Sequence, residues 1–325
     1  MKAEILKVLR ESGGYVSGQQ LSEKLGVSRT AVWKAVSRLK EEGYGIEAQR
    51  NKGYRLTETP DVLSGEEIES RLATKWAGRP VLYCRETDST NIQAKALGEK
   101  EGGNGALVVV ERQLSGRGRR GRNWSSPAEG NIYMSLLLKP DLLPEQAPSL
   151  TLVMALAVAR AVEAGGLPAM IKWPNDVIVG GKKICGILTE MSAEVDFIHY
   201  VVIGTGINVN MTDIPEELSS RASSLFLESG RTWNRAALIA EIMKHFEDCF
   251  QIYAGTGDFT GLKEEYSRFL VNRGRTVRVL EPGREHTGTA LGINEKGELL
   301  VRKEDGKTEA VYAGEVSVRG VYGYL

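Results

Sequence analysis

The 325-residue sequence predicts a multidomain α+β protein, and three observations carry that prediction. Apolar residues at helical spacing from Ile5 to Leu39 lead directly into two short strand-like runs around Asn51-Lys52. The middle of the chain alternates apolar strand runs with helical stretches, as in a mixed α/β core. After Thr276 only short alternating runs remain, the pattern of a small β-barrel. A chain this long exceeds one ordinary core, and we place domains at residues 1–60, 61–270 and 271–325.

In the first domain, Ile5, Leu6, Val8 and Leu9 give an amphipathic helix. Ser17 caps a short second helix with apolar Leu21 and Leu25, ended by Gly26. A third helix starts at Ser28. Its inward face is Val32, Ala35, Val36 and Leu39, which turns Arg29, Thr30, Trp33, Lys34, Ser37 and Arg38 outward. Helix, tight turn, helix, then a hairpin with Arg50, Asn51 and Lys52 at its tip: this is a winged helix-turn-helix. It points to DNA binding through Ser28, Arg29, Thr30, Trp33, Lys34, Ser37, Arg50 and Lys52, with a protein-interaction module as the open alternative. Trp33 is either structural beneath the wing or exposed against DNA.

Lys plus Arg and Asp plus Glu each total 42, so any nucleic-acid contact must come from a local patch. Cys84, Cys185 and Cys249 are widely spaced, which excludes a disulfide framework or zinc ribbon and fits a reducing, cytoplasmic setting. No metal site is predicted from protein side chains. The N-terminus lacks an apolar leader, and the apolar helix near Ser149 to Ala164 is read as a core helix, too short to span a membrane.

In the central region a linker near Thr57–Asp61 and a helix from about Gly65 to Ala73 precede a strand at Val81–Cys84. Asp88-Ser89-Thr90-Asn91 then caps a helix and, beside a ligand, would offer donors and acceptors suited to a urea or amide. A buried strand, Ala106–Val110, feeds Gly116-Arg117-Gly118-Arg119-Arg120-Gly121-Arg122-Asn123-Trp124, with four arginines within six residues. The glycines satisfy the dinucleotide fingerprint, but no helix opens after them, as that fold requires. A loop gripping phosphate or carboxylate through guanidinium forks is the better reading, and a solvated basic hairpin tip stays open. Farther on, Ile171–Glu190 reads as two apolar strands around a Gly180-Gly181 turn, interrupted by Pro174, Asn175 and Asp176 and carrying Lys183. Interior polar groups there require partners, which a ligand or metal ion would supply. Tyr200–Asn210 is a core strand whose glycines would let a ligand approach closely.

Taken together, the arginine loop, Lys172-Trp173-Pro174-Asn175-Asp176, Lys183 with Gly186, and Gly204-Thr205-Gly206-Ile207-Asn208 resemble the bacterial biotin protein ligases. With the winged helix, the whole chain resembles the bifunctional ligase and biotin operon repressor. The resemblance implies a class II synthetase-like core and an SH3-like C-terminal barrel. It implies that Ser89, Thr90, Asn91 and Gln113 hold the biotin ring, and that Gly116, Arg117, Gly118, Arg119, Lys183 and Gly186 complete the biotin site, with Arg119 and Lys183 catalytic. Arg119, Arg122, Trp124, Asn175, Asp176 and Asn208 would surround the adenylate or its Mg2+. Biotin and ATP are then substrates, and a biotin carboxyl carrier protein accepts biotin on a lysine. A palindromic operator would be bound by a homodimer formed with the corepressor, without membrane involvement. Residues 211–224 carry no role beyond a possible flap.

That chemistry accounts for the residue types, because a carboxylate attacking the α-phosphate brings an anion to a polyanion. Arginines and a lysine stabilise the charge without any enzyme nucleophile. A lipoate-type ligase would share this core but not explain the winged helix. A metabolite-sensing repressor would bind the ligands without turnover.

Overall fold

Helices α1 (Lys2–Ser12), α2 (Gly18–Leu25) and α3 (Arg29–Glu41) and the antiparallel strands β1 (Gly45–Gln49) and β2 (Gly53–Glu58) open the computed structural model, which describes residues 1–100, 103–280, 285–313 and 317–320. Local signals set the helix ends. Ser17 and Gln20 form a reciprocal capping box, Gly26 turns left-handed at φ 64°, and Ser28 accepts the Ala31 N–H at the start of α3. Val32, Ala35, Val36 and Leu39 bury against Ile5, Leu6, Leu9 and Leu21, as their spacing predicts. At the return of the wing, Gly53 has φ 106° and a Cβ there would lie 2.1 Å from the Val16 carbonyl oxygen, so the turn admits only glycine.

Helix α4 (Gly65–Arg71) packs on α1 through the fully buried Glu67. Its carboxylate accepts from Arg10 at 3.1 and 3.2 Å, from Arg71 at 2.5 Å and from the Tyr44 hydroxyl at 2.9 Å. A buried carboxylate persists only with such partners. Residues 61–73, read from the sequence as the start of the central region, belong to this first compact unit, together with residues 234–240. Within it Arg235 donates to Asp61 at 2.9 Å.

The second compact unit holds residues 74–233 and 241–325. Its main sheet contains β3 (Val81–Thr87), β4 (Leu107–Gln113), β5 (Ile132–Leu138), β6 (Met170–Lys172), β7 (Asp176–Val179), β8 (Lys182–Ala193) and β9 (Ile198–Ile207) in the order β3-β4-β5-β9-β8-β7-β6. Helix α5 (Thr90–Gly98) crosses between the parallel pair β3–β4, and the remaining pairs are antiparallel. Helix α6 (Leu150–Ala164) is apolar on every side and packs on β6–β9. With the preceding turn, Pro144–Ala164 is long enough to cross a membrane by length and composition, contrary to the sequence reading, but 78% of its apolar window is buried in the protein. Helices α7 (Leu225–Ser229), α8 (Arg235–Thr256) and α9 (Lys263–Phe269) follow.

C-terminal strands β10 (Thr276–Leu280), β11 (His286–Ile293), β12 (Leu299–Arg302), β13 (Thr308–Val311) and β14 (Ser317–Gly320) form an antiparallel sheet ordered β13-β12-β11-β10-β14. Among the described residues no β13–β14 ladder closes this sheet into a barrel. The turn read at Glu281-Pro282-Gly283 and the strand start at Val316 lie outside the described residues.

Candidate active site and DNA-binding face

A cleft opens above β8 and β9. At one end stand Ser89, Thr90 and Asn91, all buried at the start of α5. Ser89 makes no side-chain cap bond, which leaves its hydroxyl to the cleft, and Asp88 accepts the Ser89 N–H at 2.7 Å. Gln113, ending β4, accepts the Thr90 N–H at 2.9 Å and donates to the Ser126 hydroxyl at 2.9 Å. The Ser135 hydroxyl lies 2.7 Å from Thr90 Oγ1 and 2.6 Å from Asn91 Oδ1. Asn91 Nδ2 donates to Glu190 at 2.7 Å, and Lys95 donates to the other Glu190 oxygen at 2.5 Å. Burial pushes the Glu190 pKa up, but those two donors outweigh it and hold the carboxyl below its ordinary range. Hydroxyl and amide groups thus line this end, with Ser126, Ser135 and Glu190 bonded to them from behind.

At the opposite end lies the arginine loop. A bridge between Arg117 and Asn123 and a 2.7 Å bond from the Gly118 N–H to the Arg122 carbonyl fold it into a tight hairpin. Arg119–Gly121 form a single 3-10 turn, with Arg120 at φ 58°. Arg119 turns inward and donates to Asn175 Oδ1 at 3.0 Å and to the Ala313 carbonyl at 2.7 Å. Burial lowers its pKa and Asp176 opposes that shift, but a guanidinium starts so far above neutrality that it stays charged.

Trp124 covers the floor between these ends. Gly186 and Gly206 pair across β8 and β9, and a Cβ on either would come within 2.8 and 2.6 Å of the indole. Gly204 likewise makes room for Asn91, whose Oδ1 would be 2.1 Å from an added Cβ. Gly204 and Gly206, read from the sequence as places of ligand approach, line the cleft and also make room for Asn91 and Trp124. Lys183 Nζ stands 5.2 Å from the Trp124 ring centroid and 2.6 Å from Asp176 Oδ1. The Trp124 indole N–H is buried against the Gly206 backbone without a hydrogen-bond partner.

The cleft is lined by eleven of the candidate residues: Ser89, Thr90, Asn91, Gln113, Arg117, Gly118, Arg119, Trp124, Asn175, Lys183 and Gly186. Gly116 lies beneath it, where a Cβ would be 2.4 Å from the Trp124 carbonyl oxygen. Asp176 reaches it through Lys183. Arg122 is exposed on the loop, and Asn208 donates to the Ser223 carbonyl at 2.9 Å, outside the lining. Tyr133, Ile187, Leu188 and Thr205 also line it. Tyr133, Ile187 and Leu188 sit in apolar runs and carried no chemical signal in the sequence, whereas Thr205 lay within the Gly204–Asn208 motif without an assigned role. The expected flap is pinned at its end, where Lys183 N–H donates to the Arg221 carbonyl at 2.8 Å and Ser223 N–H donates to the Lys183 carbonyl at 3.0 Å.

On the first unit, α3 presents Arg29, Thr30, Lys34 and Arg38 to solvent, with Ser37 half-buried and Ser28 exposed at its cap. Trp33 is 58% exposed, which resolves the open question in favour of a surface residue. Arg50 and Lys52 are exposed at the wing tip.

Residues 83–208 match the biotin/lipoate A/B protein ligase family, residues 2–55 an HTH domain, and residues 274–319 the biotin protein ligase C terminal domain. Fold and site thus define a ligase-type catalytic fold carried on one chain with a helix-turn-helix. The chain is 39% identical over 322 residues to the bifunctional ligase/repressor BirA of Bacillus spizizenii, covering 98% of each. It is 30% identical over 318 residues to BirA of Escherichia coli, covering 97% of this chain and 96% of that one. The biotin protein ligase from Aquifex aeolicus in complex with biotin and ATP aligns with a TM-score of 0.65 at 33% identity, covering 74% of this chain and 98% of that one. The chain belongs to the biotin protein ligase family, in its bifunctional ligase/repressor form.

Proposed function

We propose that the cleft above β8 and β9 is where this biotin protein ligase, which is also a DNA-binding repressor, joins biotin to ATP. One observation carries the assignment: Arg119 and Lys183 reach a cleft that Ser89, Thr90, Asn91 and Gln113 line with hydroxyl and amide groups. Ser89, Thr90, Asn91 and Gln113 hold the ureido ring, and Gly116, Arg117, Gly118 and Gly186 accommodate the chain leading to its carboxylate. Trp124, Asn175, Asp176 and Arg122 face the nucleotide, with Asn208 supporting that wall from behind.

The carboxylate oxygen attacks the α-phosphorus, the bond to the bridging oxygen breaks, and pyrophosphate leaves. Arg119 and Lys183 stabilise the charge that accumulates on the phosphoryl oxygens, and the closed loop excludes water from the mixed anhydride. The amine of a lysine on a biotin carboxyl carrier protein then attacks the acyl carbon and displaces AMP. Among the described residues no group of three or more His, Cys, Asp or Glu side chains could hold a metal. Mg2+ bound mainly by phosphates, with Asp176 as protein carboxylate, fits that donor set and would add charge neutralisation.

In the same reading residues 1–60 supply the DNA-binding domain, 61–270 the ligase domain and 271–325 an SH3-like domain. Ser28, Arg29, Thr30, Trp33, Lys34, Ser37, Arg50 and Lys52 contact a palindromic operator, and the corepressor biotinoyl-AMP favours the homodimer that fits it. The protein works in the cytoplasm. Arg119→Ala and Lys183→Ala in folded protein should each slow adenylate formation about 10²–10³-fold, measured as biotin-dependent pyrophosphate release. Wild-type rates in both variants would overturn the assignment.

A further inference from the structure

Behind the cleft, the segment that carries Asn175 is held by a residue to which no motif drew attention. Asn272 is 1% exposed and its Oδ1 accepts the Trp173 backbone N–H at 2.9 Å. Beside it, Leu270 bridges Ile171 and the Val271 N–H donates to the Ile171 carbonyl at 3.0 Å, so residues 270–272 run along the outer side of β6 as a short parallel ladder. The Trp173 indole is held in turn by the Gly297 carbonyl at 3.1 Å. Two residues onward, Asn175 accepts from Arg119 and donates to the Ile187 carbonyl at 3.1 Å. Strand β6 ends at Lys172 and β7 begins at Asp176, so 173–175 lie between ladders, placed by these side-chain bonds together with one backbone bond, the Ile187 N–H to the Asn175 carbonyl at 2.9 Å.

We infer that Asn272 is a positioning residue for the nucleotide step, acting through Trp173 and Asn175 on Arg119. The inference rests on the assignment of Arg119 and Asn175 to the nucleotide end of the cleft. The ring end, built from Ser89, Thr90, Asn91 and Gln113, is ordered by Ser126, Ser135 and Glu190 and shares none of these bonds.

The two ends therefore separate in kinetics. Asn272→Ala removes one acceptor and should raise KM for ATP about tenfold, the cost of a single buried hydrogen bond, while KM for biotin stays within about twofold. Trp173→Phe, which keeps an aromatic ring but loses the bond to Gly297 and part of the buried indole volume, shifts the same ratio in the same direction and provides the test should Asn272→Ala fold poorly. Equal changes in both KM values, or none, would overturn the inference. Arg119→Ala is the control: if it leaves KM for ATP and turnover untouched, the nucleotide assignment itself has failed, whereas an effect there without one at Asn272 defeats the positioning role alone.

Discussion

An indole laid over strand backbone leaves no room for side chains beneath it, and Trp124 meets that requirement with Gly186 and Gly206 at one cross-strand pair. Gly206→Ala places a methyl 2.6 Å from the indole, far inside contact distance, so the ring must lift. Adenylate formation should fall at least about tenfold while thermal stability drops by only about 1–3 kcal/mol, read together by pyrophosphate release and thermal melting. Unchanged turnover would mean that Trp124 does not shape the nucleotide end. At this scale the sequence was only half legible. The arginine cluster and Lys183 announced themselves by charge, but Asn272 and Glu190 looked like ordinary polar residues because their roles depend on partners distant in the chain.

Elements show a different balance. Helices α2 and α3 were readable to their caps, since Ser17, Gly26 and Ser28 act on neighbours a few residues away. The exposed face of α3 and the wing tip lead to a binding prediction. Lys34→Ala and Lys52→Ala should each weaken operator binding across sequences and reduce the log–log salt slope by about one, with ligase turnover unchanged, in fluorescence anisotropy at several salt concentrations. An unaltered slope would remove those lysines from the phosphate contacts. Helix α8 carries a feature invisible in sequence. Glu247 accepts N–H bonds from Lys75, Trp76 and Ala77 at 2.8 to 3.0 Å. Burial alone would raise its pKa, yet the three backbone donors hold it below the ordinary carboxylate value. A carboxyl depressed on folding contributes stability above its unfolded pKa and loses it as pH falls through the folded one. Glu247→Gln should therefore lower the melting temperature at neutral pH and converge on wild type in acid, and a constant difference across pH would contradict this.

For the whole molecule, a biotin ligase fold and a helix-turn-helix on one chain lead to a prediction about assembly. Adding biotin with ATP should raise the sedimentation coefficient toward that of a dimer and tighten operator binding in the same concentration range, because a ligand that favours one assembly shifts it by mass action. Biotin and ATP leaving both measurements unchanged would refute the coupling.

By itself the sequence determined the secondary elements, the helix-turn-helix and the charged loop, because capping, periodicity and the packing of arginines into a glycine-rich stretch are local properties. Only the tertiary structure decided which glycines accommodate Trp124 and Asn91, that Arg119 turns inward to Asn175 while Arg122 is exposed, that α4 joins the first unit through buried Glu67, and that the C-terminal strands pair in the order β13-β12-β11-β10-β14. Each of those outcomes is set by groups tens to hundreds of residues apart, whose meeting no local preference specifies.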